Sequence, residues 1–346
     1  MDLEILFRAV DRAVSSLDFP RIWPGFAPLK FALYDAEKCF FNGRYVDKTD
    51  DFCANTSINY RGEQIAIWMV QEDLPLPVLT SKLVHEMFHG FQTLQGWTCW
   101  PDEMEALRRY RYDAENLCLK LRENELLLAL LDGFDDTAFR ELTALRKRRS
   151  GAFPFEFSYE CKVEEIEGTA NYVEWQVLQQ LDENAAAALT DRMRPAMTRP
   201  ERLFPIRISC YFTGALMIHA MRRAGVYDFA PAERPAPLPL VRSAAASDGL
   251  FPGKDACYRQ VSDAVASYQE ETAAIVRSAL DRNDVVLEGP LELVTVNIYN
   301  ARYHDGYVTS TYFLMYRDGA EEKMIPGNFV IKMRDGKTID NVYRWE

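Results

Sequence analysis

The sequence is poor in histidine, with four in 346 residues, at positions 85, 89, 219 and 304. It has no Cys-x-x-Cys pair, no low-complexity segment and no long internal repeat. No stretch approaches the roughly 20 consecutive apolar residues that a membrane helix needs. A basic surface is missing too. The formal net charge is -12, and the one compact basic run, Arg146-Lys147-Arg148-Arg149, closes an expected helix, where cations suit the helix dipole. These absences argue against nucleic acid and membrane as partners. The first residues, Met1-Asp2-Leu3-Glu4, do not form a basic segment followed by an apolar one, so no secretory signal is expected. The seven cysteines (Cys39, Cys53, Cys99, Cys118, Cys161, Cys210 and Cys257) are odd in number and widely spaced. That is the pattern of reduced thiols in a cytoplasm, and no base lies close enough in sequence to make one of them a nucleophile.

What is present is globular composition, 48% hydrophobic and 27% charged, in a chain long enough for two or three packed subdomains. Leu3, Ile5, Leu6, Val10 and Val14 follow a helical period over residues 1–20. Residues 29–70 read as strands and turns, with Asn42-Gly43 and Arg61-Gly62 at turn positions. After Pro75 and Pro77 a helix is expected from Val78 or Leu79 to about Gln95. Further helices are expected at 102–132, 136–149, 158–182, 207–224 and 255–281. The segment 231–239, with Pro231, Pro235, Pro237 and Pro239, reads as an irregular crossing. The tail alternates in polarity and carries Asp305-Gly306, Asp318-Gly319 and Asp335-Gly336, which are hairpin turns in sequence. The expectation is an α+β chain: an N-terminal helix and β region (1–76), a mostly helical core (77–285) and a C-terminal antiparallel β module (286–346).

Two of the four histidines fall in one motif, His85-Glu86-Met87-Phe88-His89. At i and i+4 they share a face of the helix, so both imidazoles can bind one ion. Glu86 points elsewhere and cannot join them as a ligand. It can reach a water on that ion, which suits a general base. Imidazole and carboxylate donors with one open position describe a catalytic zinc site. Leu79, Leu83, Val84, Met87, Phe88 and Phe91 make the surroundings apolar, so the polar groups of the motif need partners. No histidine follows at the short spacing of the all-histidine sites, since Gln92 and Gln95 stand there. A carboxylate from a second helix is therefore expected as the third ligand. Glu164, Glu165 and Glu167 are the candidates, in a run where Gly168 and Ala170 allow close helix approach. Glu167, Asn171 and Glu174 share one stripe at i, i+4 and i+7.

The HExxH helix followed by Glu167-Gly168-x-Ala170-x-Tyr172-Val173-Glu174 resembles the gluzincin metallopeptidases, and most closely their aminopeptidase branch. The helix Tyr211-Phe212-Thr213-Gly214 resembles the Tyr-x-x-Gly helix of the same branch. The resemblance covers roughly residues 60–220, in three short motifs. It implies a zincin-like core and a zinc-dependent peptidase acting on a peptide or protein. His85, His89 and Glu167 would hold Zn2+, with Glu174 orienting a zinc histidine. Tyr211 would donate to the oxyanion of the tetrahedral intermediate, with Glu86 as the base. Residues 97–155 exceed the family's usual spacer and would form a helical insertion, able to cap the cleft or bind a partner. The Gly-x-Met-Glu-Asn motif that binds free amino termini is missing, which speaks against exopeptidase action. The strand 64–70 stands where the family's substrate-binding edge strand would be. The same residues would also suit a zinc hydrolase of a small non-peptide amide, or a binding protein that keeps the fold without turnover. Away from the motifs, His219 reads as a hydrogen-bonded structural histidine and His304 as an exposed one.

Overall fold

The computed structural model describes residues 2–71, 73–226 and 254–345. Helix α1 (Leu3–Ser15) starts where the Asp2 carboxylate accepts from the amides of Glu4 and Ile5, satisfying donors that the first turn leaves free. A single turn, α2 (Phe19–Ile22), leads to strands β1 (Phe31–Tyr34), β2 (Cys39–Phe41), β3 (Arg44–Val46), β4 (Thr56–Tyr60) and β5 (Glu63–Met69). Their order in the sheet is β3-β2-β1-β5-β4, with β1 and β5 parallel and the other pairs antiparallel.

This arrangement corrects one expectation. The strand expected at 64–70 as a docking edge is paired on both sides, Trp68 against Leu33 of β1 and Ile67 against Thr56 of β4. The cause is the Arg61-Gly62 turn, with φ of 54 and 87, which folds β4 back onto β5 as a tight hairpin. The sheet edges are β3 and β4.

Helix α3 (Leu76–Leu94) carries the HExxH motif. It begins slightly before the expected start because Pro77 lies in its first turn, where a missing N–H costs no helix bond. The helical layer continues with α4 (Glu103–Arg109), α5 (Ala114–Asp132), α6 (Asp136–Ala152), α7 (Pro154–Val163), a π-turn (Glu164–Gly168), α8 (Thr169–Leu181), α9 (Glu183–Thr198), α10 (Ile206–Arg223) and α11 (Lys254–Arg282). The helix expected over 102–132 is two helices, because Asp113 caps a new start by accepting from Asn116 N at 3.0 Å. Helix α9 was not expected; Asp182 caps it through the amides of Asn184 and Ala185. The helix expected over 158–182 runs as α7, the π-turn and α8. Within residues 97–155, α5 packs against α10 and α11 in the helical layer, with Leu117 and Leu121 buried there, while Trp100 lies 6.3 Å from the His89 ring between centroids. The proline-rich segment 231–239 lies outside the described residues. No helix among the described residues is long and apolar enough to cross a membrane.

The tail forms a seven-stranded antiparallel sheet from β6 (Val285–Val296), β7 (Arg302–His304), β8 (Tyr307–Ser310), β9 (Phe313–Asp318), β10 (Glu321–Pro326), β11 (Phe329–Met333) and β12 (Thr338–Arg344). The strand order is β10-β9-β6-β12-β11-β8-β7. The Asp-Gly pairs do what the sequence asks of them. Asp305 and Gly306, at φ 44 and 84, make the two-residue turn between β7 and β8, and both residues of such a turn need positive φ. The fold is α+β, with one sheet beneath the motif helix and a second at the C-terminal end.

Where the π-turn meets α10, two glycines touch. A Cβ on Gly214 would stand 2.6 Å from Glu164 O and 2.7 Å from Gly168 Cα. Both obstacles are backbone, so the helices would have to part. Gly214→Ala is expected to cost about 1–3 kcal/mol, as overpacking does, despite the better helix propensity of alanine. Chemical denaturation reads this directly, and an unmoved midpoint would show that the crossing has room to spare.

Candidate metal centre

Helix α3 is fixed in its core by Val84, Met87 and Phe88, all fully buried. The ring of Phe88 packs edge-on against Trp23 and Phe26, at 5.0 and 5.1 Å between centroids. That packing sets the opposite face, where the His85 and His89 Nε2 atoms lie 3.1 Å apart. Glu167 Oε2 stands 3.1 Å from His89 Nε2 and 3.7 Å from His85 Nε2. Donors held about 2.0–2.1 Å from a tetrahedral ion lie about 3.4 Å from one another. The three edges bracket that spacing, so the group could hold a metal ion.

The rings are oriented from behind. His89 Nδ1 donates to Gln92 Oε1 at 2.8 Å, and Gln92 Nε2 donates to Ile166 O and Thr169 Oγ1 at 2.8 and 2.9 Å. His85 Nδ1 faces Glu174 Oε2 at 3.3 Å, outside good hydrogen-bond geometry, and Lys82 Nζ lies 3.4 Å from the other Glu174 oxygen. Partners on the Nδ1 side leave both Nε2 atoms for an ion, the usual device of histidine metal sites. Burial alone would push the His85 imidazole down, but the neighbouring Glu167 and Glu174 carboxylates outweigh it and raise its pKa to about 10. His89 is likewise opposed by burial and raised, chiefly by the Glu167 charge. A cation at the convergence point would supply the positive charge that those protons provide.

The other carboxylates of the run go elsewhere. Glu164 pairs with Lys120 Nζ at 3.1 Å and Arg146 Nη2 at 2.6 Å. Glu165 is buried beside Cys99, and burial raises its pKa to about 7. The π-turn adds a residue to the helical turn, which changes the phase between these two and Glu167. Asn171, Glu174 and Glu86 line one cavity of about 370 Å³ together with His85, Tyr211 and Trp68. The Glu86 carboxylate accepts no hydrogen bond from the described residues, and burial raises its pKa against the pull of His85 and His89.

Tyr211 stands across that cavity, its ring 6.5 Å from the His85 ring. Burial pushes its phenol well above the usual value, so it stays protonated and able to donate. Its hydroxyl accepts from Arg207 Nη2 at 3.3 Å and meets the Tyr299 hydroxyl at 2.9 Å.

Sequence reading missed several members of this cluster. Arg207 Nη2 donates to Glu167 Oε1 at 2.6 Å, and its Nη1 pairs with Glu103, which also accepts from Tyr159 at 2.8 Å. Arg207 was findable as the residue one turn before Tyr211, and Gln92 as the residue one turn after His89. Tyr299 carried no local signal, because only the fold brings it there. The remaining histidines stay apart: His219 packs on Trp175 at 5.2 Å, without the hydrogen bond expected of it among the described residues, and His304 is about a third exposed, 3.8 Å from Asp305. No family model, curated protein or solved structure matches this chain, so the resemblance to the gluzincins rests on its three short motifs.

Proposed function

We propose that this protein is a zinc-dependent hydrolase of the gluzincin kind, a metallopeptidase acting on a peptide or protein. The observation that carries the reading is the convergence of His85, His89 and Glu167 within 4.8 Å, with His85 lining the same cavity as the Glu86 carboxylate. Two imidazoles and a carboxylate suit zinc. Bound there, the ion would lower the pKa of its water to about 7 and polarise the scissile carbonyl.

The chain's own groups fill the remaining roles. Glu86 accepts a proton from the attacking water at its carboxylate and returns it to the leaving nitrogen. Tyr211 donates its phenolic proton in a hydrogen bond to the carbonyl oxygen as charge builds there. Glu174 and Gln92 hold the two imidazoles in place, and Arg207 balances the charge of Glu167. Leu189, Ile208 and Phe212 give the same cavity an apolar wall, which suits a substrate side chain. The seven cysteines form no disulfide, which fits a reducing, cytoplasmic setting.

Elemental analysis tests the reading at its base. Purified protein is expected to hold about one zinc per chain, as such sites do, and His85→Ala to lose it. Equal metal in the two proteins would remove the site.

A further inference from the structure

The β module contributes to this cavity. Its strands β6 and β7 are joined by residues 297–301, and Tyr299 in that connection lines the cavity with Glu86 and His85. The connection is well tied. Asn297 Oδ1 accepts from Tyr299 N at 3.3 Å, Asn297 O accepts from the amides of Asn300 and Ala301, and Asn297 Nδ2 donates to Thr311 at 3.1 Å. The Tyr299 ring also packs on Arg207, 5.8 Å from ring centroid to guanidinium carbon, while Arg207 lies 5.5 Å from the Tyr211 ring. One buried guanidinium therefore positions both phenols and the Glu167 carboxylate.

The two phenols share one contact. A phenol has one proton and can also accept. The Tyr211 oxygen accepts from Arg207, and either hydroxyl could donate across the 2.9 Å contact between Tyr211 and Tyr299, so the two hydroxyls stand side by side and both can turn to an oxygen bound in the cavity. Tyr211 is the one hydrogen-bond partner of the Tyr299 hydroxyl among the described residues, and Tyr299 is about half exposed at the cavity. We infer that Tyr299 is a second substrate-contacting hydrogen-bond donor of this site, delivered by the C-terminal sheet and held beside Tyr211 by Arg207. The inference rests on the proposed zinc reading. It assigns the β module a part in binding the substrate oxygen, in addition to any partner it engages.

Two measurements separate the inference from the reading beneath it. Zinc content is measured first on the wild type, Tyr299→Phe and Tyr211→Phe. Affinity for acetohydroxamate, a small chelator that places oxygens at the metal without needing a recognised sequence, is then measured by calorimetry on the zinc-loaded proteins. Tyr299→Phe keeps the ring on Arg207 and removes only the hydroxyl. It is expected to bind zinc as the wild type does and acetohydroxamate roughly tenfold more weakly, the effect of one hydrogen bond to a charged oxygen. Tyr312→Phe, at an exposed position of the same module, should change neither. Normal zinc with unchanged acetohydroxamate affinity in Tyr299→Phe overturns the role of Tyr299 and leaves the zinc reading standing. A wild type that takes up no zinc overturns both.

Discussion

A Glu86→Gln protein is expected to retain its zinc and to lose roughly 10²- to 10⁴-fold in turnover, the range for removing a positioned general base. Glutamine keeps the shape of the side chain but cannot accept the proton. Metal content should hold because Glu86 is not part of the His85, His89 and Glu167 group. Two features of the site favour a large effect. The carboxylate forms no hydrogen bond with the described residues, so its proton affinity is free for the water. Burial also raises its pKa from the usual carboxylate range, toward the value at which a base works best near neutrality. Product formation from a mixed peptide pool, followed alongside zinc content, separates the outcomes. An active Glu86→Gln protein would take Glu86 out of the mechanism. An inactive one that has also lost its zinc would move Glu86 among the ligands.

Much of this could be read from the chain because the signals were local. The i, i+4 spacing places His85 and His89 on one helix face whatever the rest of the fold does, and Asp-Gly pairs dictate hairpins within a few residues. Glu167 was legible only as one of three acids, since the choice among Glu164, Glu165 and Glu167 depends on helix phase and a π-turn shifts that phase without a sequence mark. The mistaken readings share a physical cause. Arg146 and Arg149 resemble the solvated end of a helix, yet they are 4% and 0% exposed, and only Lys147 and Arg148 of that run face outward. Their acidic partners Glu123, Glu160 and Glu164 sit on other helices, and no periodicity in one helix reveals a partner on another. The same holds for β5, whose own sequence is that of a strand and whose place in the sheet is decided by β1 and β4.

That buried charge cluster supports the second large prediction. Lys120, Arg146 and Arg149 face Glu123, Glu160 and Glu164, three cations against three anions. Lys120 Nζ lies 3.1 Å from both Glu160 and Glu164, and Arg149 Nη2 lies 2.6 Å from Glu160. Lys120→Met preserves most of the volume and leaves two carboxylates with one cation fewer. Breaking a buried pair from one side costs about 3–5 kcal/mol, so the variant should show that loss in chemical denaturation at neutral pH. The pH dependence gives a sharper signature. Burial alone would raise the Glu164 carboxyl, but Arg146 and Lys120 outweigh it and hold the group below its ordinary value of 4.5, and Glu160 is lowered by Arg149 and Lys120 against the same opposition. A carboxylate whose folded pKa is depressed adds stability above its unfolded pKa and loses it as the pH falls below that value. The wild type should therefore weaken from about pH 5 downward. Lys120→Met, with less depression to lose, should weaken less steeply over the same range. Parallel acid slopes would mean that Lys120 does not set the charge state of the cluster. The consequence reaches the candidate site, because Glu164 opens the π-turn that carries Glu167 and also accepts from Thr213 of α10 at 2.7 Å. Freed from Lys120, that turn holds Glu167, the proposed third ligand, less firmly, so the same variant should bind zinc more weakly even where it remains folded.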